Sequence, residues 1–169
     1  MIFLDESGAK TNLTRLCGRA PKGQRVQAST PHGHWHTTTM MSSLRLDGST
    51  ACMALEGSTD TESFRAYVGQ VLVPTLRPGD IVVMDNLTPH KSDQTLALIA
   101  QAGAEVLFLP AYSPDLNPIE KMWSKVKSHL RSAEARTQET LINAIGAALR
   151  TITPQDAINW FASCGYSFI

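Results

Sequence analysis

Apolar residues run in short bursts through the first two thirds of the chain and at helical spacing through the last third. MIFLD, residues 1–5, suits a buried strand, and the β-rich runs WHTTTMMSSL and STACMAL are joined by LDG, a turn signal, so they predict an antiparallel hairpin. Thr59, with Glu62 three residues on, predicts a helix start; the helix presents Phe64, Val68, Val71 and Leu72 on one face and ends before Pro74. DIVVMD, bounded by Pro78-Gly79 and an acid, reads as a strand buried on both faces. A helix from Ser92 to Ala102 stops at Gly103, AEVLFLP supplies another buried strand, and further helices start at Asn117, Thr137 and Thr153. In the first of these, Ile119, Trp123, Val126 and Leu130 form the buried stripe. Strands come together first and alternate with helices later. That order predicts an α/β mixed sheet, antiparallel at one side and parallel at the other, covered by helices.

Composition adds bounds. A chain of 169 residues with 43% hydrophobic and 18% charged residues, without repeats or long linkers, fits a single domain over 1–169. The longest apolar runs, IVVM and VLFL, are too short to span a bilayer, and MIFLDESG lacks the basic start of a signal peptide, so a cytoplasmic protein with no membrane partner is expected. Cys17, Cys52 and Cys164 form no CxxC pair, which predicts reduced structural thiols. The formal net charge is zero, but its distribution is uneven. Lys10, Arg15, Arg19, Lys22 and Arg25 form one stretch without acids, Lys121, Lys125, Lys127 and Arg131 crowd a second, and Asp47, Glu56, Asp60 and Glu62 lie between. Segregated bases are compatible with a phosphate-binding face and equally with solvated loops.

Three acids invite a chemical reading. Asp5 and Asp85 each end an apolar strand, where α/β sheets place ligands, and neighbouring strands would bring the two carboxylates together for a hard divalent cation. Taken alone, each reads better as a turn or cap residue. Glu120 is the third residue of a helix with Asn117 as N-cap and Pro118 at the first position, so it can fold back on the cap. It also heads a stripe with Ser124, Lys127 and Arg131, an acid followed by bases that could hold a DNA backbone.

FLDESG around Asp5, VVMDNLTPHK around Asp85 and LPAYSPDLNPIEKMW around Glu120 together resemble the catalytic domain of a DDE transposase of the mariner superfamily, in the bacterial insertion-sequence branch. Residues 86 to 119 give 34 positions between Asp85 and Glu120, similar to the separation in one large branch of that superfamily. The resemblance spans Asp5 to about Arg131, and APKGQ also looks like the family. It implies a ribonuclease H-like fold: three antiparallel strands, then parallel strands, with helices on both faces. It implies that Asp5, Asp85 and Glu120 are catalytic and jointly hold two Mg2+ ions, for which Mn2+ can substitute, to activate a water or DNA 3′-hydroxyl and stabilise the leaving oxygen. The implied reaction is cleavage at transposon ends and joining of 3′ ends to target DNA, commonly at TA.

Around the three acids, Asn86 and His90 match the motif after the second Asp and either orient that carboxylate or a phosphate, or, for His90, serve as a structural hydrogen-bonder. Glu6 points to the opposite strand face from Asp5 and supports it or lies at the surface, while Asp115 shapes a turn. Arg15, Arg19, Lys22, Arg25, Lys127 and Arg131 are the candidate DNA contacts. His32, His34 and His36 recur at period two, a spacing that permits zinc but fits a half-exposed strand entry better; Trp35 and Trp123 read as packing residues.

Family members carry helix-turn-helix modules ahead of the catalytic core, and here Asp5 follows only four residues, so that region is expected to be absent. Partners are then DNA, a second copy of the chain, or a separate end-binding module. Competing hypotheses are a catalytically silent domain that modulates transposition, against which the intact acid set counts, and another ribonuclease H-like nuclease, against which SPDLNPIE counts.

Overall fold

The computed structural model describes residues 1–167. Its first strand, β1 (Ile2–Lys10), runs well past the apolar run that predicts it. It pairs antiparallel with β2 (Thr37–Arg45) over its whole length, from Ile2 opposite Arg45 to Lys10 opposite Thr37. Asp5 therefore lies inside a strand and not at its end, which corrects the sequence expectation. The small and polar residues after it stay extended because β2 offers every one of them a ladder partner, and pairing outweighs weak intrinsic preference. β2 turns into β3 (Thr50–Glu56), with Gly48 at φ 81, a conformation that glycine adopts without strain.

β4 (Ile81–Met84) runs parallel to β1, and β5 (Glu105–Phe108) runs parallel to β4, giving the order β3-β2-β1-β4-β5. Three antiparallel strands followed by parallel ones match the expected mixed sheet. β5 is an edge strand in that order, so its residues alternate between exposed and half-buried, with Leu107 exposed; the second fully buried strand expected there is not observed.

α1 (Thr61–Tyr67) starts one residue later than expected, because Asp60 is its N-cap and accepts from the Ser63 N–H. The chain then continues through a π-helical turn, Val68–Leu72, and a 3-10 turn, Val73–Thr75, past the Pro74 expected to stop it. Proline is tolerated there because it opens a new short helix, where its missing N–H costs nothing. α2 (Asp93–Gln101), α3 (Pro118–Ala133), α4 (Gln138–Leu149) and α5 (Pro154–Ser163) follow the predicted starts and stops closely, and Thr137 and Thr153 each close a capping box.

Strand alternation divides the apolar residues between two cores. Ile2, Leu4, Val82 and Met84 face Phe64, Val68, Leu72 and Ile99 of α1, its π-turn and α2. Phe3, Leu44 and Val83 face Ile119, Trp123, Val126, Ile145 and Phe161 of α3, α4 and α5. Helices thus cover both faces of the sheet. Residues 11–36 join β1 to β2 without helix or strand and are mostly exposed. Arg136 ties their start down by donating to the carbonyls of Thr11 and Leu13. Trp35 is exposed in this segment, with the Lys10 ammonium 5.9 Å from its ring centre, and is not the packing residue expected; Trp123 is buried. His36 Nδ1 lies 3.1 Å from Glu56 at the entry to β2. The three cysteines are free, and Cys17 is exposed, so a structural role fits only Cys52 and Cys164. Among the described residues no helix is long and apolar enough to cross a membrane.

Candidate active site

The register of the parallel pair decides where the first two acids meet. Ile2 is opposite Val82 and Phe3 opposite Val83, so Asp5, two residues on along the same face of β1, and Asp85, just past the end of β4, are carried toward the same cavity. That face is the one covered by α3, and Glu120 stands in the first turn of α3. Asp5, Asp85 and Glu120 line one cavity of about 380 Å³, shared with Asn86, Asn117 and Tyr112. Among the described residues no three acids, histidines or cysteines close into a ready-made metal cage, so the arrangement is an open cleft of carboxylates.

Glu120 does not fold back onto the helix cap as the sequence allowed. Asn117 occupies the N-cap position but makes no side-chain cap bond, and its Oδ1 is buried without a partner, which corrects the expected capping role. The cause is backbone geometry. Asn117 has ψ 96, whereas Asp60, Thr137 and Thr153, whose side chains do cap, have ψ 177, 160 and 158. The 3-10 turn Pro114–Leu116 runs directly into α3, so the backbone enters the helix at this ψ. Glu120 is left exposed toward the cavity, with no hydrogen bond to its carboxylate among the described residues.

On the far side of Asp85 sits a buried imidazole. His90, 1% exposed and stacked at 4.2 Å on Phe64, places Nδ1 2.6 Å from Asp85 Oδ1 and Nε2 3.4 Å from Glu6 Oε1. The Nδ1–H is not aligned on the oxygen, so this is a close ion pair more than a directed hydrogen bond. Asp85 Oδ1 also accepts from the Leu87 N–H, which leaves Oδ2 as its unengaged oxygen. Glu6 thus faces away from Asp5, as alternation predicts, and its partner is His90; a contact across 84 residues leaves no signal in the sequence.

The electrostatics follow from these contacts. Burial pushes the Asp5 carboxyl up to about 7; the Glu6 N–H and His90 oppose this, and the negative charges of Glu120 and Asp85 add to it. Burial works against the His90 cation, but Asp85 and Glu6 on either side hold its pKa at about 9. Burial also works against the Asp85 anion, yet His90 and the Leu87 N–H keep its pKa below the usual carboxylate value.

The other candidates lie elsewhere. Arg15, Arg19, Lys22 and Arg25 are exposed on the segment between β1 and β2, and Lys127 and Arg131 are half-buried along α3, outside the cavity lining. Asp115 sits in the 3-10 turn and does not line the cavity. A larger groove of about 690 Å³ follows α3 past Lys121 and Lys125, but its one acid, Asp156, is engaged by Lys125 and the Thr153 cap. It therefore offers no free carboxylate. Tyr112, fully exposed on the cavity rim at φ 56, was not singled out by sequence reasoning; its place between two prolines was the available signal.

Residues 1–142, more than four fifths of the chain, match the family described as DDE superfamily endonuclease. The chain belongs to that family. No curated protein sequence matches it. In three dimensions the endonuclease resembles the Mos1 strand transfer complex (TM-score 0.70, 19% identity, 99% of this chain and 55% of that one). It also resembles the Mos1 transposase paired-end complex with left transposon end (0.68, 17%, 99% and 56%) and the Mos1 mariner paired end complex with Mn (0.67, 19%, 99% and 56%). These likenesses establish a ribonuclease H-like fold. The chain spans about half the length of the Mos1 chains it matches.

Proposed function

We propose that this DDE endonuclease is a transposase catalytic domain that cleaves DNA at transposon ends and joins the freed 3′ ends to target DNA, commonly at TA, with Asp5, Asp85 and Glu120 as its catalytic acids. The observation that carries the reading is the meeting of these three carboxylates, from β1, the end of β4 and the start of α3, at one cavity. The donor set fits a hard divalent cation: it is all oxygen, and burial, with the negative charges of Glu120 and Asp85 adding to it, holds on Asp5 a proton that a bound cation would displace. Asp5, Asp85 through its unengaged Oδ2, and Glu120 would hold Mg2+ or Mn2+, with phosphate oxygens of the substrate completing an otherwise open site. A bound divalent ion supplies polarisation of the phosphodiester and a more acidic attacking water or hydroxyl.

The chain's own work is placement. β1 and the end of β4 bring two carboxylates to one cavity, and His90 with the Leu87 N–H keeps Asp85 ionised and in one orientation. Asn86 and Asn117 border the same cavity, where their amides can meet substrate phosphate. Exposed Arg15, Arg19, Lys22 and Arg25, and Lys127 and Arg131 on α3, contact the DNA backbone. Mos1 forms paired-end complexes with DNA and, in separate structures, with Mn and Mg, and we extend both properties to this chain, along with dimeric assembly, an end-binding module supplied from outside residues 1–169, and a cytoplasmic location.

The test is Asp85→Asn, assayed for Mg2+-dependent nicking and strand transfer with an end-binding module supplied. A folded variant with at least a hundred-fold lower activity is expected. Wild-type-like strand transfer would sink the assignment and leave the silent modulator in its place.

A further inference from the structure

We infer that Tyr166, beyond the last helix and outside the residues that match the family, positions Glu120 against Asp5, an inference that rests on those acids being the reacting site. The turn before Glu120 is held locally by backbone bonds alone, since the Asn117 side chain makes no cap bond. A distant group supplies it instead. The Tyr166 hydroxyl donates to the Leu116 carbonyl at 2.8 Å, across 50 residues, at the last residue of the 3-10 turn that leads into α3. Its ring meanwhile packs edge-on against Phe3 at 5.0 Å, and Phe161 packs against the same Phe3 at 5.1 Å. Phe3 precedes Asp5 by two residues on the same face of β1. One side chain thus touches both the strand that carries Asp5 and the turn that aims Glu120, and the Tyr166 side chain fixes their relative position.

A single hydrogen bond suffices to matter here. The Glu120 amide bonds back to the Asn117 carbonyl at 3.2 Å, so any drift of Leu116 and Asn117 is passed directly to the first turn of α3. Ligand displacements well under 1 Å are costly for an open carboxylate site.

The test is Tyr166→Phe in the full chain, which removes the hydroxyl and keeps the ring contacts. In metal-free protein, amide hydrogen exchange at Asn117 and Glu120 is expected to rise about five-fold, the effect of one net hydrogen bond, while amides of α4 stay at their wild-type rates. Metal-dependent nicking is expected to show kcat lowered about five-fold with KM for DNA unchanged, because the backbone-binding surfaces are untouched. Wild-type exchange at those amides, or wild-type kcat despite faster exchange, overturns the inference. A uniform rise in exchange that includes α4 also overturns it, since that marks general destabilisation. The exchange measurement needs no activity. Were Asp85→Asn to nick like wild type, the reading of the site would fail while the exchange result still decided whether Tyr166 holds the turn.

Discussion

On the proposed reading Asp5 carries a conflict between stability and chemistry that can be measured. Its carboxyl is pushed up to about 7 in the fold, against about 4 in an unfolded chain. The stability linked to this group is therefore fully present below about pH 4 and lost as pH rises through about 7, on the order of 2–4 kcal/mol. Asp5→Asn removes the conflict. In metal-free protein at pH 8 the variant is expected to melt higher than wild type, to lose the dependence between pH 4 and 7, and to be inactive. Identical pH–stability curves for the two proteins would show that Asp5 is not strained by its neighbours. His90 titrates in a different window: its raised value, about 9, makes its contribution present below about pH 6.5 and lost through about 9. His90→Gln is expected to flatten that upper limb and, by removing the cation beside Asp85 and Asp5, to shift the acid side of the pH–stability curve as well.

At the scale of elements, α5 depends on its cap. Thr153 Oγ1 accepts from the Asp156 N–H at 3.1 Å, and Asp156 Oδ2 accepts in return from the Thr153 N–H at 2.9 Å while pairing with Lys125 at 2.6 Å. Thr153→Ala is expected to cost about 1 kcal/mol, a fall of about 2–4 °C in Tm by calorimetry; an unchanged Tm would mean that Lys125 and Asp156 hold the helix start alone. This cap was legible in the sequence, as were the hairpin, the buried β4 and the stripe of α3, because each depends on residues a few positions apart. What was not legible depends on distant partners. β1 runs past Asp5 only because β2 pairs with it, β5 is half-exposed only because the sheet ends there, and Asn117 fails as a side-chain cap only because the preceding 3-10 turn sets its ψ. The three acids that line the cavity stood out in the sequence by their places beside apolar runs and a helix start and by the motifs around them, whereas the contacts of His90 with Glu6 and of Tyr166 with Leu116 join residues 84 and 50 positions apart.

Over the whole molecule, the hairpin end of the sheet rests on the start of α5. Gly48 stands at φ 81, and a Cβ there would meet the Thr153 backbone carbon at 2.9 Å. Gly48→Ala is thus expected to destabilise by about 2 kcal/mol or more, through left-handed strain plus a contact with backbone that cannot rotate away. Wild-type stability in denaturant would show that the hairpin can lift off the helix freely.

On the proposed reading a chain of zero net charge would meet DNA through local charge, and the structure separates two sets of bases by exposure. Arg15, Arg19, Lys22 and Arg25 are exposed on a segment without helix or strand, spanning residues 11–36, a length that compact domains rarely leave unstructured without a use. Lys127 and Arg131 are half-buried along α3. Each phosphate that a removed base no longer neutralises reduces the slope of log K against log salt by about 0.9 for duplex DNA. Replacing the four loop bases by alanine is therefore expected to flatten the slope by up to about 3.6, and replacing Lys127 and Arg131 by less than about 1.8. Fluorescence anisotropy across a salt series, with catalysis blocked by Asp85→Asn, measures both. An unchanged slope in the loop variant would move the DNA path onto α3, and with it the direction from which a scissile phosphate reaches Asp5, Asp85 and Glu120.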